Sequence, residues 1–122
     1  MILPLKELIM KQNWRSKFNT MRVILMYDLP NTTKEDNGFY TKFRNQILKM
    51  GYIQIQQSVY TKVLQSKTLS ISHIDKLKKI IPPKGLIRAY VLTEMQYERG
   101  YILSGEVDEN ELINDDERFR LI

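Results

Sequence analysis

The stretch that most constrains the fold is Arg22-Val23-Ile24-Leu25-Met26-Tyr27-Asp28-Leu29-Pro30. Five apolar or aromatic residues follow one another and stop at an acid, then at Leu-Pro. A run this short, rich in β-branched and aromatic types and closed by proline, reads as a strand rather than a helix. Alternation sends Val23, Leu25 and Tyr27 to one face and Ile24, Met26 and Asp28 to the other. Both faces are apolar, so both call for cover, as in a central strand. Asp28 ends that strand on a face that something else must bury. A carboxylate there is either costly or useful.

The following residues supply partners for this strand. Leu29-Pro30-Asn31 makes a turn. Thr32 or Thr33, with Glu35 or Asp36 three residues on, is a helix-start signature. Phe39, Phe43 and Ile47 recur every four residues, with Tyr40, Leu48 and Met50 beside them. They predict an amphipathic helix over 34–50, stopped by Gly51. Ile53 and Ile55, then Val59, Thr61 and Val63, alternate on either side of Gln56-Gln57, predicting two strands joined by a tight bend. Ile74, Leu77 and Ile81 predict a second helix over 68–81, ended by Pro82-Pro83 and Gly85. Leu86 to Thr93 reads as a strand with Ile87, Ala89 and Val91 on one face. Glu94 to Gly100 suits a helical turn, and Tyr101-Ile102-Leu103 a last short strand.

The order strand, helix, strand, strand, helix, strand is the α+β, ferredoxin-like βαββαβ pattern, here with a short fifth strand. Both helices cover one face of such a sheet and leave the other bare in a monomer. A bare apolar face marks an interface, so the pattern predicts a homodimer through the sheet face, with the two Asp28 residues near one another. The division is an N-terminal extension (1–20), a ferredoxin-like domain (21–105) and an acidic C-terminal tail (106–122). The extension shows no clear strand. Two readings of it stand: a misread start before Met21, or an appendage docking a short helix (Leu5, Leu8, Ile9) on a partner.

Charge sharpens the division. Of 19 bases and 14 acids, two and seven fall in 106–122, which leaves residues 1–105 with 17 and seven, a net +10. A body that basic suits polyanions, and the tail either shields it or meets a basic partner. The absence of cysteine excludes disulfides, thiolate zinc sites and cysteine nucleophiles. No apolar run approaches a membrane span, and residues 1–10 lack the order of a secretion signal, so the reading is a soluble cytoplasmic protein with no membrane partner.

Six segments carry a family resemblance in order: Met21 to Pro30, Thr33-Lys34-Glu35, Tyr40 with Phe43-Arg44, Gly51-Tyr52 followed by Gln57-Ser58-Val59-Tyr60, Pro82-Pro83-Lys84-Gly85, and Thr93-Glu94-Met95-Gln96-Tyr97-Glu98. Over about 21–105 the chain resembles the Cas2 family of CRISPR-associated adaptation proteins, the integrase's partners. It looks closest to members from type II systems. The resemblance implies a dimeric DNA-binding scaffold in antiviral defence. Such a scaffold sits between two integrase dimers during spacer acquisition and helps hold a double-stranded DNA protospacer. Many members are also described as metal-dependent endoribonucleases or DNases, with RNA or DNA as substrate. In those, the aspartate ending the first strand is the magnesium (Mg2+) ligand, here Asp28.

Asp28 therefore has two readings. As a catalytic metal ligand it would share an ion with its symmetry mate, since magnesium needs only one or two carboxylates besides substrate phosphate. Otherwise it is a strand-end acid bonded to turn amides or to a partner's base. The lone His73 reads as a surface residue of the second helix, and Glu94 and Glu98 as interface or surface acids. Ser58 bonds its own bend. Lys34, Lys42, Arg44, Lys76, Lys78, Lys79 and Lys84 are the candidates for nucleic-acid phosphate contacts, which give affinity without sequence reading. Tyr27, Tyr40, Tyr52, Tyr60, Tyr90, Tyr97 and Tyr101 read as core or interface. A small-molecule regulator, the third function class, would need a polar pocket between subunits.

Overall fold

A computed structural model of the chain describes residues 3–4 and 19–107. The docking-helix residues Leu5, Leu8 and Ile9 and the acids from Asp108 onward lie outside the described residues. The elements are β1 (Leu3–Pro4), β2 (Met21–Asp28), α1 (Lys34–Lys49), β3 (Ile53–Gln56), β4 (Val59–Leu64), α2 (Lys67–Lys78), β5 (Leu86–Thr93), α3 (Glu94–Glu98) and β6 (Tyr101–Ile102). The main sheet runs β3-β4-β2-β5, antiparallel throughout. Its first strand is central, as its two apolar faces require, and the order is that of the ferredoxin-like fold.

Val23, Leu25 and Tyr27 pack beneath the helices with Phe43, Ile47 and Leu77. The Tyr27 ring meets Phe43 edge-on at 5.2 Å and stacks on Tyr60 at 5.6 Å. Thr33 caps α1 by accepting the amide of Asp36 at 3.0 Å. Gly51, at φ 97°, follows the helix end in the left-handed region open to glycine. Gly85, at φ 101°, brings the start of β5 against the end of β2. A Cβ there would lie 2.8 Å from the Asp28 carbonyl oxygen.

Three expectations change. The second helix ends at Lys78 rather than Ile81, and Ile81 is 54% exposed. The Pro82-Pro83 pair already strains the preceding turn out of helical geometry. Residues 1–20 do hold a strand: β1 pairs antiparallel with β6, so the short fifth strand of the prediction joins the extension rather than the main sheet. Two residues are too few for any periodicity to reveal. Finally, the face opposite α1 and α2 is not bare along its whole length. At the Arg22 end it carries α3, and Arg22, Thr61 and Val63 are buried there. Toward the Asp28 end Ile24 and Met26 are only half-covered, and Leu86 and Tyr90 are 55% and 47% exposed. No helix among the described residues is long and apolar enough to cross a membrane.

Candidate nucleic-acid interface and Asp28 hollow

Asp28 is exposed at the last position of β2. It faces away from α1 and α2, on the side of Ile24 and Met26. It lines an open hollow of about 300 Å³ together with Met26, Ser58, Val59, Leu86 and Arg88. Among the described residues no hydrogen bond or ion pair engages its carboxylate. The reading in which turn amides hold it is therefore corrected; the strand amide of Tyr27 beside it donates to the Ser58 carbonyl at 3.1 Å. Ser58 sits at φ 61°, in the left-handed region that a non-glycine residue seldom adopts.

The side-chain oxygens that one protomer brings to the hollow from its described residues include the Asp28 carboxylate, the Ser58 hydroxyl and the Gln57 amide. No group of three His, Cys, Asp or Glu side chains able to hold a metal occurs among the described residues. This set would fit magnesium only as a partial shell, one carboxylate to an ion that would keep most of its water and need further donors from outside the protomer.

The basic candidates separate by partner. Lys34, Lys42, Lys76 and Lys79 are exposed, with no acid within ion-pair distance among the described residues. Lys42 of α1 and Lys79 just past α2 line one small hollow between α1 and the 79–83 segment that follows α2. Lys78 pairs with Asp75 at 3.6 Å, one turn back on the exposed helix surface. Lys84 stands 4.0 Å from Asp36. Burial pushes the Asp36 carboxyl up, but hydrogen bonds from Thr32 and Thr33 and the charge of Lys84 hold it below the ordinary range. Arg44 is half-buried, its Nε donating to the Tyr60 hydroxyl at 3.0 Å, so it serves the core at least as much as the surface.

His73 is not a surface residue. It is 6% exposed, and its Nε2 and the Tyr52 hydroxyl share a hydrogen bond of 2.6 Å. Spacing put it among serines, but it shares a face with Ser70 and Leu77, which point at the sheet. Burial, then the charges of Lys62 and Lys76, hold its pKa below the usual imidazole value. The unfolded chain takes up this proton near pH 6.5 and the folded chain resists it, so stability present above pH ~6.5 is lost as pH falls below it. The slope is at most about 1.4 kcal/mol per pH unit. Urea unfolding between pH 7 and 5 should show the decline, and His73→Gln should flatten it. An unchanged slope in that variant would contradict the assignment.

Glu94 and Glu98 are buried rather than at the surface. Glu94 receives Arg22 Nε at 3.0 Å and Arg22 Nη2 at 2.8 and 2.7 Å, and the guanidinium lies 4.0 Å over the Tyr97 ring. Reading by sequence overlooked Arg22 because it begins an otherwise apolar run. A charge at that place in a central strand was the available signal. Arg88 was overlooked too, since only the strand register places it beside Asp28. Of the tyrosines, Tyr27, Tyr52, Tyr60 and Tyr97 are buried, Tyr40 is half-buried, and Tyr90 and Tyr101 are exposed.

The sequence profile described as "CRISPR associated protein Cas2" matches residues 21–99. A "CRISPR-associated endoribonuclease Cas2" of Campylobacter jejuni is 38% identical over 101 residues, covering 83% of this chain and 71% of its own length. Proteins with the same name from Treponema denticola and Streptococcus mutans are 40% and 41% identical. Each alignment covers 80% of this chain, and 96% and 89% of those proteins respectively. The profile's span coincides with the β2–α3 unit that carries both the central strand and the buried Arg22–Glu94 pair. The chain thus belongs to the CRISPR-associated Cas2 family.

Proposed function

We propose that the chain is a dimeric, DNA-binding scaffold of CRISPR adaptation that bridges integrase dimers during spacer acquisition. The observation that carries this reading is the helix layer. It presents Lys34, Lys42, Lys76 and Lys79 to solvent without neutralising acids among the described residues, on a body of net +10. Such an array grips phosphates and steers a duplex without reading its sequence. The half-covered apolar end of the opposite sheet face supports the homodimer. Light scattering at micromolar concentration should give about twice the 14.5 kDa chain mass. A clean monomer would contradict the dimer. Co-purification with the integrase tests the bridge, and its absence in cells expressing both would contradict it.

A second reading, a magnesium-dependent nuclease acting on RNA or DNA, is favoured by one observation: Asp28 is exposed and unengaged beside a hollow. Magnesium bound there would supply Lewis-acid stabilisation of a phosphodiester. The chain's own part would be to hold that ion by Asp28 in each copy. Among the described residues lining the hollow, no histidine or second carboxylate stands ready as a general base, and the chain's one histidine is buried on α2 against Tyr52.

A further inference from the structure

The helix layer leaves part of β5 uncovered on its own side of the sheet. Ile87, Ala89 and Val91 lie across from Tyr27, Leu25 and Val23, so they face α1 and α2. Yet α2 ends at Lys78, and Ile81, the next apolar position of its stripe, is 54% exposed. The result is an open groove of about 520 Å³, walled by Leu25, Phe43, Leu77, Ile81, Ile87 and Val91. The sheet face assigned to the homodimer is the opposite one, so dimerisation leaves this groove open. Among the described residues Lys78 is the one charged side chain in its lining. Lys79 and Lys84 adjoin lining residues in the chain, and all three lysines are exposed. Asp75 and Asp36 stand 3.6 and 4.0 Å from Lys78 and Lys84, and no described acid pairs with Lys79. A small-molecule pocket of this size carries several converging polar groups. One lysine over an apolar floor suits instead a peptide whose large apolar side chains adjoin acids.

We propose that residues 115–122 of the same chain dock in this groove and compete with a duplex for the lysines beside it. The competition rests on the DNA-binding reading; the docking does not. Phe119 and Leu121 fill the groove, and Asp115, Asp116 and Glu117 lie along the lysine rim. The alternation Arg118-Phe119-Arg120-Leu121 sends both apolar side chains to one side of an extended backbone and both arginines to the other. Reach selects this part of the tail. Val107 lines a hollow with Ile55 and Gln56 of β3, at the sheet edge opposite β5. Three strand spacings plus the thickness of a helix make a path of roughly 25 Å to the groove. Leu112, five residues past Val107, extends at most roughly 17 Å and falls short. Phe119, 12 residues past it, extends roughly 40 Å and arrives with slack. Charge selects the tail over the other segment outside the described residues. Residues 108–122 hold six acids and two bases, whereas residues 5–18 hold four bases and one acid and would be repelled by the lysine rim.

The chain has no cysteine, so Ile81→Cys with Arg120→Cys gives the full chain two thiols and no others. Mild oxidation should join them within one chain, since docking brings their Cα atoms inside the roughly 7 Å a disulfide spans. Leu69→Cys with Arg120→Cys places the first thiol at an exposed site near the start of α2. That pair should link about tenfold more slowly, because the docked tail is not concentrated there. Adding Phe119→Ser and Leu121→Ser to the first pair should slow it to the same rate. Equal rates for the two pairs, or a link that forms between copies rather than within one, overturn the docking. Fluorescence anisotropy with a DNA duplex reads the competition. Phe119→Ser with Leu121→Ser, which keeps all six acids, should tighten duplex binding by about threefold to tenfold at low salt, and the gain should shrink as salt rises. Unchanged affinity in that variant means the acids act by repulsion without docking, and overturns the competition. If neither this variant nor the wild-type chain binds duplex, the DNA-binding reading and the competition fall together, while the disulfide rates still decide the docking.

Discussion

Replacing Glu94 by alanine should destabilise the folded protein by about 3–5 kcal/mol, the usual consequence of breaking a buried ion pair from one side. The pair is fully enclosed: side-chain exposure is 1% for Arg22 and 0% for Glu94. Three N–H···O contacts of 2.7–3.0 Å join them, and the Tyr97 ring closes over the guanidinium. Alanine removes the carboxylate but leaves the positive charge in a place water does not reach. Desolvation of that charge, rather than the strength of the lost bonds, makes the effect large. The pair also joins the first residues of the central strand to the junction of β5 and α3, so its loss should loosen α3 from the sheet. Urea unfolding of Glu94→Ala measures the effect. Arg22→Met with Glu94→Leu should regain much of the stability, because removing both charges removes the desolvation cost. A loss below about 1 kcal/mol, typical of an exposed pair, would contradict this account.

That pair marks how far the sequence carries the fold. The central strand, the two helices and the β5 strand follow from alternation, four-residue recurrence and the glycine and proline stops, and they appear where those signals put them, except that the second helix stops at Lys78, short of Ile81. Arg22 and Glu94 are 72 residues apart in the chain, and no local pattern couples them. The same holds for Tyr52 and His73, whose contact depends on how α2 packs against the residue just ahead of β3. His73 looks polar and exposed in a serine-rich segment, and only the rotation of α2 turns it inward. At the candidate site Asp28 was legible, because an acid closing an apolar strand is chemically conspicuous. Arg88 was not, because its relation to Asp28 is a matter of strand register. The lysines were legible as a group, yet their division into free and engaged required Asp36, Asp75 and Tyr60 to be placed in space.

Duplex binding should fall steeply with salt. Four exposed lysines per copy give eight in a dimer, and if each neutralises one phosphate the log–log slope is about −7. Raising salt from 50 to 200 mM then costs roughly four orders of magnitude in affinity, and half as many contacts still cost about two. The sequence of the duplex should matter little, because phosphates carry no base information. Lys42→Gln with Lys79→Gln removes four charges from a dimer and should reduce the slope by roughly 3–4. These two line one hollow between α1 and the segment after α2, so their joint effect tests whether the duplex crosses that groove. Fluorescence anisotropy over a salt series reads both the slope and the affinity. An affinity that changes less than threefold over this range, or a strong preference for one sequence, would contradict electrostatic gripping by the helix layer.

The central claim is that the chain works in adaptation as a scaffold and not through hydrolysis. Asp28→Ala separates the two. The residue is exposed, ends its strand and packs against no apolar neighbour of the core, so the fold should survive the change. In a scaffold the loss leaves the exposed lysines of the helix layer, which grip the duplex, in place. In a nuclease it removes the carboxylate each copy contributes to the ion, and a site with so few protein ligands retains little metal affinity. The decisive measurement is spacer acquisition in cells expressing Asp28→Ala at the wild-type level. Acquisition close to wild type is the predicted result. Loss of acquisition, with the dimer and the integrase complex intact, would contradict the scaffold account.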